Sequence, residues 1–268
     1  MPSTLKSAPS HPDALVCMEE MTWPEWQGKV AAGAPILLPI GSTEQHGPQL
    51  PLGTDVFIPR HICARIAGAL GAIVAPAIPY GYKSQAKTGG GQTFPGTTSL
   101  DAHTLSLVVR DIVRDLGMHG VRRIVVINGH FENAWPVIEG LDLAQRELRR
   151  ERIADMVLMR IELGDFVRRS TLDRIFPAGF PGVELEHASL METSVMMSIK
   201  PDLVRKDRIP SDGPAKFPLY DRLPFPIERI PPSGVLADAR NSRIEIGEWI
   251  LNDIVTLVTE AIREGLNL

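Results

Sequence analysis

Four short apolar runs constrain the fold of this chain more than any other feature of its sequence. They are rich in β-branched residues, lack polar alternation and occupy residues 35–40 (PILLPI), 72–77 (AIVAPA), 123–128 (RIVVIN) and 156–161 (MVLMRI). Such runs are typical of parallel strands that are covered on both faces. Segments with helical spacing lie at about 99–120, 135–150, 190–199 and from 242 onward. This alternation predicts an α/β fold, a three-layer α/β/α sandwich with a mainly parallel central sheet.

The C-terminal third contains two local signals. Ser242 and Glu245 have the spacing of a capping box and predict the start of the last helix. The segment 201–236 is rich in proline and too long for an ordinary connection. It is either an irregular surface segment or a loop that covers the site or contacts another subunit.

Length, charge and cysteine content limit the class of protein. The 268 residues suit one large domain, which we place at 15–268 after a flexible tail at 1–14. A net charge of −4 without a basic cluster argues against nucleic-acid binding. No apolar run approaches the roughly 18 residues of a membrane span. Two cysteines without a CxxC pattern favour the cytoplasm.

Polar residues follow the first and third predicted strands in the same pattern. Glu44 and His46 come after the first strand, and His130 and Glu132 come after the third. Parallel strands end at one edge of their sheet, where α/β proteins bind ligands, and residues i and i+2 of an extended chain point the same way. Asp55 is predicted to lie on a separate loop and to approach these four side chains from a third side.

These five side chains form a candidate metal site. Imidazole and carboxylate ligands without a thiolate suit Zn²⁺ or Mn²⁺. Five ligands are more than one catalytic ion usually takes, so one carboxylate, most naturally Asp55, would bridge two ions. Any single histidine or glutamate of this set is more often structural than a ligand, and the hypothesis depends on the repeated spacing.

Residues 182–194 and 80–99 hold further candidates. His187 is the side chain best suited to carry a proton at neutral pH. The acidic residues around it, Glu184, Glu186 and Glu192, also fit the start of a helix. Three consecutive glycines at 89–91 permit a close backbone approach to a ligand. The chain contains no phosphate-binding fingerprint and no motif for a covalent nucleophile.

Over about residues 20–265 the chain resembles the creatininase (creatinine amidohydrolase) family. The resemblance is carried, in order, by LPIGSTEQHGPQLPLGTD, YGYKSQAKTGGG, FPGTTSLD, NGHFEN and EHASLMETS. It implies an α/β/α fold, a homo-oligomer (a hexamer) and two divalent ions, commonly Zn²⁺ with Mn²⁺ able to occupy one position. By resemblance, Glu44, Asp55 and His130 hold one ion. His46, Asp55 and Glu132 hold the other.

The resemblance also assigns catalytic and substrate-binding residues. His187 matches the histidine that transfers a proton during ring opening. We assign catalytic roles to Glu132 and to Glu186, which could orient His187 or bind water. The positions expected to contact the substrate are Thr88, Phe131, Gly164, Val183 and Glu184.

Three substrate positions depart from the family. Creatininase has tryptophan where this chain has Gly164 and Val183, and tyrosine where it has Phe131. Ring stacking contributes about 0.5–1.5 kcal/mol beyond area burial, so creatinine should be held less tightly. We predict a creatininase-like amidohydrolase, with creatinine plus water to creatine as the reference reaction. The alternatives are the same chemistry on another lactam, a hydantoin-like ring or a formamide, and a non-catalytic metal-containing binding protein.

Overall fold

A computed structural model describes residues 16–268 and contains four parallel strands. They are β1 (Ile36–Ile40), β2 (Ile73–Val74), β3 (Arg123–Asn128) and β4 (Val157–Glu162). Their order in the sheet is β2-β1-β3-β4. All four apolar runs therefore form strands, although β2 is shorter than predicted. Beyond Ala75 its register slips, since Ile78 rather than Ala77 donates its N–H to the Pro39 carbonyl, at 3.0 Å.

Seven helices accompany the sheet in this part of the chain. They are α1 (Trp23–Ala31), α2 (Thr54–Leu70), α3 (Ala102–Met118), α4 (Ala134–Arg150), α5 (Arg169–Ile175), α6 (Leu190–Ile199) and α7 (Ile244–Leu266). The four predicted helices are α3, α4, α6 and α7, whereas α1, α2 and α5 were not predicted. Helix α2 is hidden in the sequence by Gly53 at its N-cap and by Pro59 inside it.

The side chains of the strands divide between two cores. Leu37, Val125 and Ile127 pack with α2, α6 and α7 on one face of the sheet. Their neighbours along the strands, Leu38 and Val126, pack with α3 and α4 on the other face. Because successive strand residues point to opposite faces and both faces are covered, each strand is apolar throughout. The predicted three-layer α/β/α sandwich is confirmed.

The predicted capping box at the last helix is wrong. Helix α7 has Arg243 as its N-cap and no side-chain cap. The Ser242 hydroxyl instead donates to the Ala239 carbonyl at 2.7 Å, within the preceding turn. The spacing of Ser242 and Glu245 fits a capping box, but the hydroxyl donates to a carbonyl of the preceding turn and does not accept a helix N–H.

Asp253 joins α7 to the start of α5. Its carboxylate accepts the Arg168 backbone N–H at 3.1 Å and the Thr171 hydroxyl at 2.5 Å, and it also pairs with the Arg168 guanidinium. Burial by itself would raise the pKa of Asp253, but the hydrogen bonds from Thr171 and Arg168 outweigh it and lower the pKa.

Replacing Asp253 with alanine is expected to lower the free energy of unfolding by about 1.5–3 kcal/mol, because hydrogen bonds to a buried charge are lost. Since the folded pKa is depressed, this contribution is present above the unfolded value of about 3.9 and is lost as the pH falls below it. Denaturant unfolding at pH 7 and pH 3 measures both effects. Glu260→Ala, an exposed change in the same helix, is the control. An equal loss for both variants would contradict the prediction.

Two predictions concern the chain as a whole. The predicted flexible tail at 1–14 lies outside the described residues, and the assignment of 15–268 to a single domain stays a prediction. Within residues 16–268 no helix has the length and apolar character needed to cross a membrane.

Candidate metal centre

Asp55 lies at the carboxyl ends of β1 and β3, in the first turn of α2. The loop position predicted for it is therefore corrected. Gly41 and Gly129 follow the two strands, and a Cβ atom there would lie 2.2 and 2.4 Å from the Asp55 carbonyl oxygen. The α2 start can approach both strand ends only because these two residues have no side chain. This close approach places the Asp55 carboxylate among the side chains that follow the strands.

Four of the five predicted metal ligands converge here. The Nε2 atom of His46 is 2.9 Å from Asp55 Oδ1, and the Nδ1 atom of His130 is 3.0 Å from Asp55 Oδ2. Glu44 Oε2 lies 2.9 Å from His130 Nδ1. All four side chains are almost fully buried. The two oxygens of Asp55 thus face two different imidazoles, the arrangement that a bridging carboxylate requires.

The protonation of both imidazoles suits metal binding. His46 Nδ1 lies 3.1 Å from the Glu44 carbonyl oxygen, and His130 Nε2 lies 2.9 Å from that of Tyr82. A carbonyl oxygen only accepts hydrogen bonds, so these nitrogens carry the ring hydrogens. The other nitrogen of each ring faces the carboxylates and would present its lone pair to an ion that displaces its proton. Metal-binding histidines are usually held in this way by a backbone carbonyl or carboxylate.

The buried carboxylates of the cluster also require positive charge nearby. Both Glu44 oxygens and Asp55 Oδ2 are buried without a hydrogen bond within the described part of the chain. Burial lowers the pKa of His46, but the carboxylates of Asp55 and Glu192 outweigh it and raise the pKa to about 10. Buried carboxylates are stable only when positive charge compensates them. These residues fit divalent metal ions.

Two glutamates are candidates for the third ligand of an ion bound by His46 and Asp55. The predicted ligand Glu132 faces the Nε2 side of the His130 ring, with its Oε2 3.3 Å from His130 Nε2, and its carboxylate also accepts hydrogen bonds from the Thr88 hydroxyl and, at 2.9 Å, from the Gln85 N–H. Glu192 Oε2 instead lies 3.7 Å from His46 Nε2.

Among the described residues, three sets of side chains each bring their candidate ligand atoms within 4.8 Å of one another: Glu44–Asp55–His130, His46–Asp55–Glu192 and Glu44–His46–His187. From the sequence, Glu192 was expected at the start of a helix. It occupies the first turn of α6 and also faces the cluster. The motif EHASLMETS was the available signal.

His187 lies against the cluster. Its ring centroid is 4.5 Å from that of His46, and its Nε2 is 3.9 Å from Glu44 Oε1. Burial, with the neighbouring His46, lowers its pKa well below the usual value, so the ring is neutral at pH 7. A neutral imidazole in this place can accept a proton and pass it on.

The residue that holds the His187 ring differs from the predicted one. Glu186 accepts the Met191 N–H at 2.9 Å, and burial raises its pKa to about 8. The side chain that contacts His187 Nε2 is Gln45, whose Nε2 lies at 2.8 Å. Gln45 stands between two metal-ligand candidates in the sequence, yet nothing local marks it, since its contact is 142 residues away.

A cavity of about 930 Å³ opens beside the cluster. Four of the five predicted substrate positions line it, namely Thr88, Phe131, Gly164 and Val183. Glu184 is exposed and is not part of this wall. Gly164 and Val183 are adjacent, since a Cβ on Gly164 would lie 3.3 Å from Val183 Cγ1. The two positions at which the family resemblance led us to expect tryptophan therefore lie in one wall of the cavity.

Two other segments surround the cluster. Residues 221–225 of the proline-rich segment line the cavity, so part of this segment covers the site. In the glycine-rich loop, a Cβ on Gly89 would lie 2.1 Å from Glu44 Oε1. The close approach predicted for the consecutive glycines is thus made to a candidate metal-ligand side chain.

Known proteins resemble the chain over most of its length. A sequence profile of the Creatininase family, described as creatinine amidohydrolase, matches residues 19–262. A creatinine amidohydrolase of Pseudomonas putida is 45% identical over 93% of this chain and 96% of its own. A mycofactocin precursor peptide peptidase of Mycobacterium ulcerans is 32% identical over 87% of this chain and 82% of its own.

Solved structures agree with the sequence comparison. A crystal structure of creatinine amidohydrolase (creatininase) superposes with a TM-score of 0.91 at 45% identity, covering 93% of this chain and 97% of the other. A Mn form of creatininase superposes with the same score and identity over 93% and 98%. A Zn–Zn form of a Glu-to-Gln creatininase variant has 44% identity and covers 92% and 97%, again with a TM-score of 0.91. The fold, the cluster and these similarities agree, and the chain belongs to the creatininase (creatinine amidohydrolase) family.

Proposed function

We propose that this protein is a metal-dependent amidohydrolase that opens the ring of creatinine by hydrolysing its C–N amide bond, giving creatine. One observation carries the proposal. In the buried cluster, His46 and His130 each donate one ring N–H to a backbone carbonyl and direct the other nitrogen at the shared Asp55 carboxylate. That arrangement serves two metal ions, and it occurs in a chain 45% identical to a creatinine amidohydrolase.

Two divalent ions, Zn²⁺ or Mn²⁺ as in the similar structures, would be divided between two ligand sets. Glu44, Asp55 and His130 are assigned to one ion. His46 and Asp55 are assigned to the other, with Glu132 as third ligand by resemblance. In the structure a second carboxylate, that of Glu192, lies 3.7 Å from His46 Nε2.

The protein's own groups account for the proton transfers. When bound, the ions acidify water and polarise a carbonyl group, which are the two effects that amide hydrolysis needs. His187 takes the proton released as water attacks and gives it to the ring nitrogen, which leaves poorly as an anion. Thr88 and Glu132 face the cavity and would position the substrate. Glu186 is proposed to hold a proton near this site, because its carboxyl is buried with one unpartnered oxygen.

The similarity to a creatinine amidohydrolase favours this activity over the two alternatives. The relative that is 45% identical over 93% of this chain is a creatinine amidohydrolase, which supports creatinine over another small amide as the substrate. A purely binding role is disfavoured by His187, since a structural metal site needs no proton carrier beside it.

Turnover of creatinine tests the proposal. The protein is stripped of metal with a chelator, reloaded with Zn²⁺ or Mn²⁺, and assayed for creatine formation. We expect activity that disappears on chelation and returns with metal. Fully loaded protein that forms no creatine above the uncatalysed rate would overturn the assignment.

Val183→Trp is expected to lower KM for creatinine about 2- to 10-fold, by restoring a ring that stacks on the flat substrate. Val183 is 39% exposed at the cavity wall, so the larger side chain has room. Steady-state kinetics measure the change. Val183→Leu adds volume without an aromatic face and serves as the control. Equal KM values for both variants would show that stacking at this position does not contribute.

Three predictions about the whole protein remain. We propose a homo-oligomer, a hexamer by family resemblance, with a small amide as its substrate. The cytoplasm remains the proposed location, on the cysteine count. Sedimentation analysis of the purified protein checks the oligomeric state.

A further inference from the structure

We propose that Gln45 is a positioning residue for His187, whose ring it holds beside the metal cluster in one tautomer. The inference rests on the proposed function for its catalytic consequence, while the contact itself is a structural property. The Gln45 Nε2 atom lies 2.8 Å from His187 Nε2, and both side chains are buried. Glu186, the neighbour expected to orient this ring, is occupied at the start of α6.

The orientation of the Gln45 amide is set by its other contacts. Its Oε1 accepts the Gly47 backbone N–H at 2.8 Å. Its Nε2 lies 3.0 Å from each of the carbonyl oxygens of Gly89 and Gly234, so its two hydrogens are shared among these two oxygens and His187 Nε2. Exchanging the amide nitrogen and oxygen would place one oxygen against two others and one NH₂ group against an N–H. Only the observed orientation is compatible with these partners.

This orientation determines the tautomer of His187. An amide nitrogen donates hydrogen bonds and does not accept them. The short contact between the two Nε2 atoms therefore requires a lone pair on His187 Nε2, and the hydrogen of the neutral ring lies on Nδ1. The nitrogen that faces Glu44 Oε1 is thus the one able to accept a proton. Selecting one tautomer removes the population of rings that present an N–H in this place.

The surrounding backbone lies close against the Gln45 amide. A Cβ on Gly234 would lie 2.2 Å from Gln45 Oε1, and a Cβ on Gly90 would lie 2.9 Å from Gln45 Nε2. Both glycines have φ of +78°, which L side chains rarely adopt. The glycine-rich loop and the end of the proline-rich segment therefore close on the Gln45 amide. The Gln45 amide thus connects these two segments to the His187 ring.

Gln45→Met tests the role, because methionine keeps the length of the side chain and removes its donors. Gln49→Met is the matched control. Gln49 is also fully buried in the same loop, and its amide donates to the Ala188 carbonyl at 2.7 Å without contacting the His187 ring. Both variants are expected to lose thermal stability. Only Gln45→Met is expected to lose kcat, by about 10- to 100-fold, with KM and metal content within twofold of wild type.

Equal kcat losses in the two variants, or an unchanged kcat in Gln45→Met, would overturn the proposal. If Gln45→Met does not fold, ¹⁵N NMR of histidine-labelled, Zn²⁺-loaded wild type decides. We expect the Nδ1–H tautomer for His187, and observing Nε2–H would refute the contact. Failure of the proposed function is recognised separately, because wild type would then form no creatine while the tautomer could still be observed.

Discussion

Asp55→Ala is expected to abolish both metal binding and activity, the largest effect of any single substitution in this protein. Within residues 16–268, the Asp55 carboxylate is the only one that meets both imidazoles, with one oxygen 2.9 Å from His46 and the other 3.0 Å from His130. Loss of a residue that merely supports a metal ligand costs about 10- to 100-fold in metal affinity. Loss of a carboxylate shared by two sites should cost more at each.

Metal analysis and thermal unfolding provide readouts of Asp55→Ala that do not depend on turnover. Ions that bind only the folded chain stabilise it by about 2.7 kcal/mol at 100 times their Kd. Adding Zn²⁺ should therefore raise the melting temperature of wild type and leave that of Asp55→Ala unchanged. Asp142→Ala removes an exposed carboxylate on α4 and should behave as wild type. Two ions retained in Asp55→Ala would exclude the bridging role.

His187→Ala is expected to reduce kcat by about 10²–10⁴-fold while both ions remain bound. In the proposed mechanism His187 supplies proton transfer to the leaving nitrogen, whereas the candidate metal ligands surround Asp55. Steady-state kinetics and metal analysis on the same preparation test the two halves together. The effect should exceed that of Gln45→Met, which removes only the support of the ring.

The expectation that His187→Ala keeps both ions could fail, because His187 lies close to other candidate metal ligands. His187 also belongs to a group of possible ligands with Glu44 and His46. If His187→Ala bound one ion fewer than wild type, His187 would be a metal ligand, and its assignment as the proton carrier would be wrong. His103→Ala, an exposed change on α3, controls for the loss of a histidine.

The strands could be predicted from sequence because parallel strands covered on both faces carry their own signal. Helix α2 could not, because Gly53 and Pro59 are features of loops elsewhere. Proline is tolerated at position 59 because the Asp55 carbonyl, which an N–H at this position would bond, instead faces Gly41 and Gly129. Consequently Asp55 was recognised as a candidate ligand but assigned to the wrong kind of element.

Residues i and i+2 point the same way only where the chain stays extended. His130 has extended backbone, but Glu132 lies in the 3-10 turn Phe131–Asn133, where alternate residues no longer share a direction. Its carboxylate therefore turns to Thr88 and Gln85. Local geometry that depends on a turn was not visible in the spacing of the residues.

The sequence by itself determined the parallel sheet, the types of ligand and the strand ends at which they gather, because these follow from hydrophobic pattern and ligand chemistry. Only the tertiary structure decided which atoms face the cluster. The tautomer of His130 depends on the Tyr82 carbonyl, 48 residues away, and the ring of His187 depends on Gln45, 142 residues away. Hydrogen bonds act over about 3 Å, so their partners become known only when distant loops are brought together.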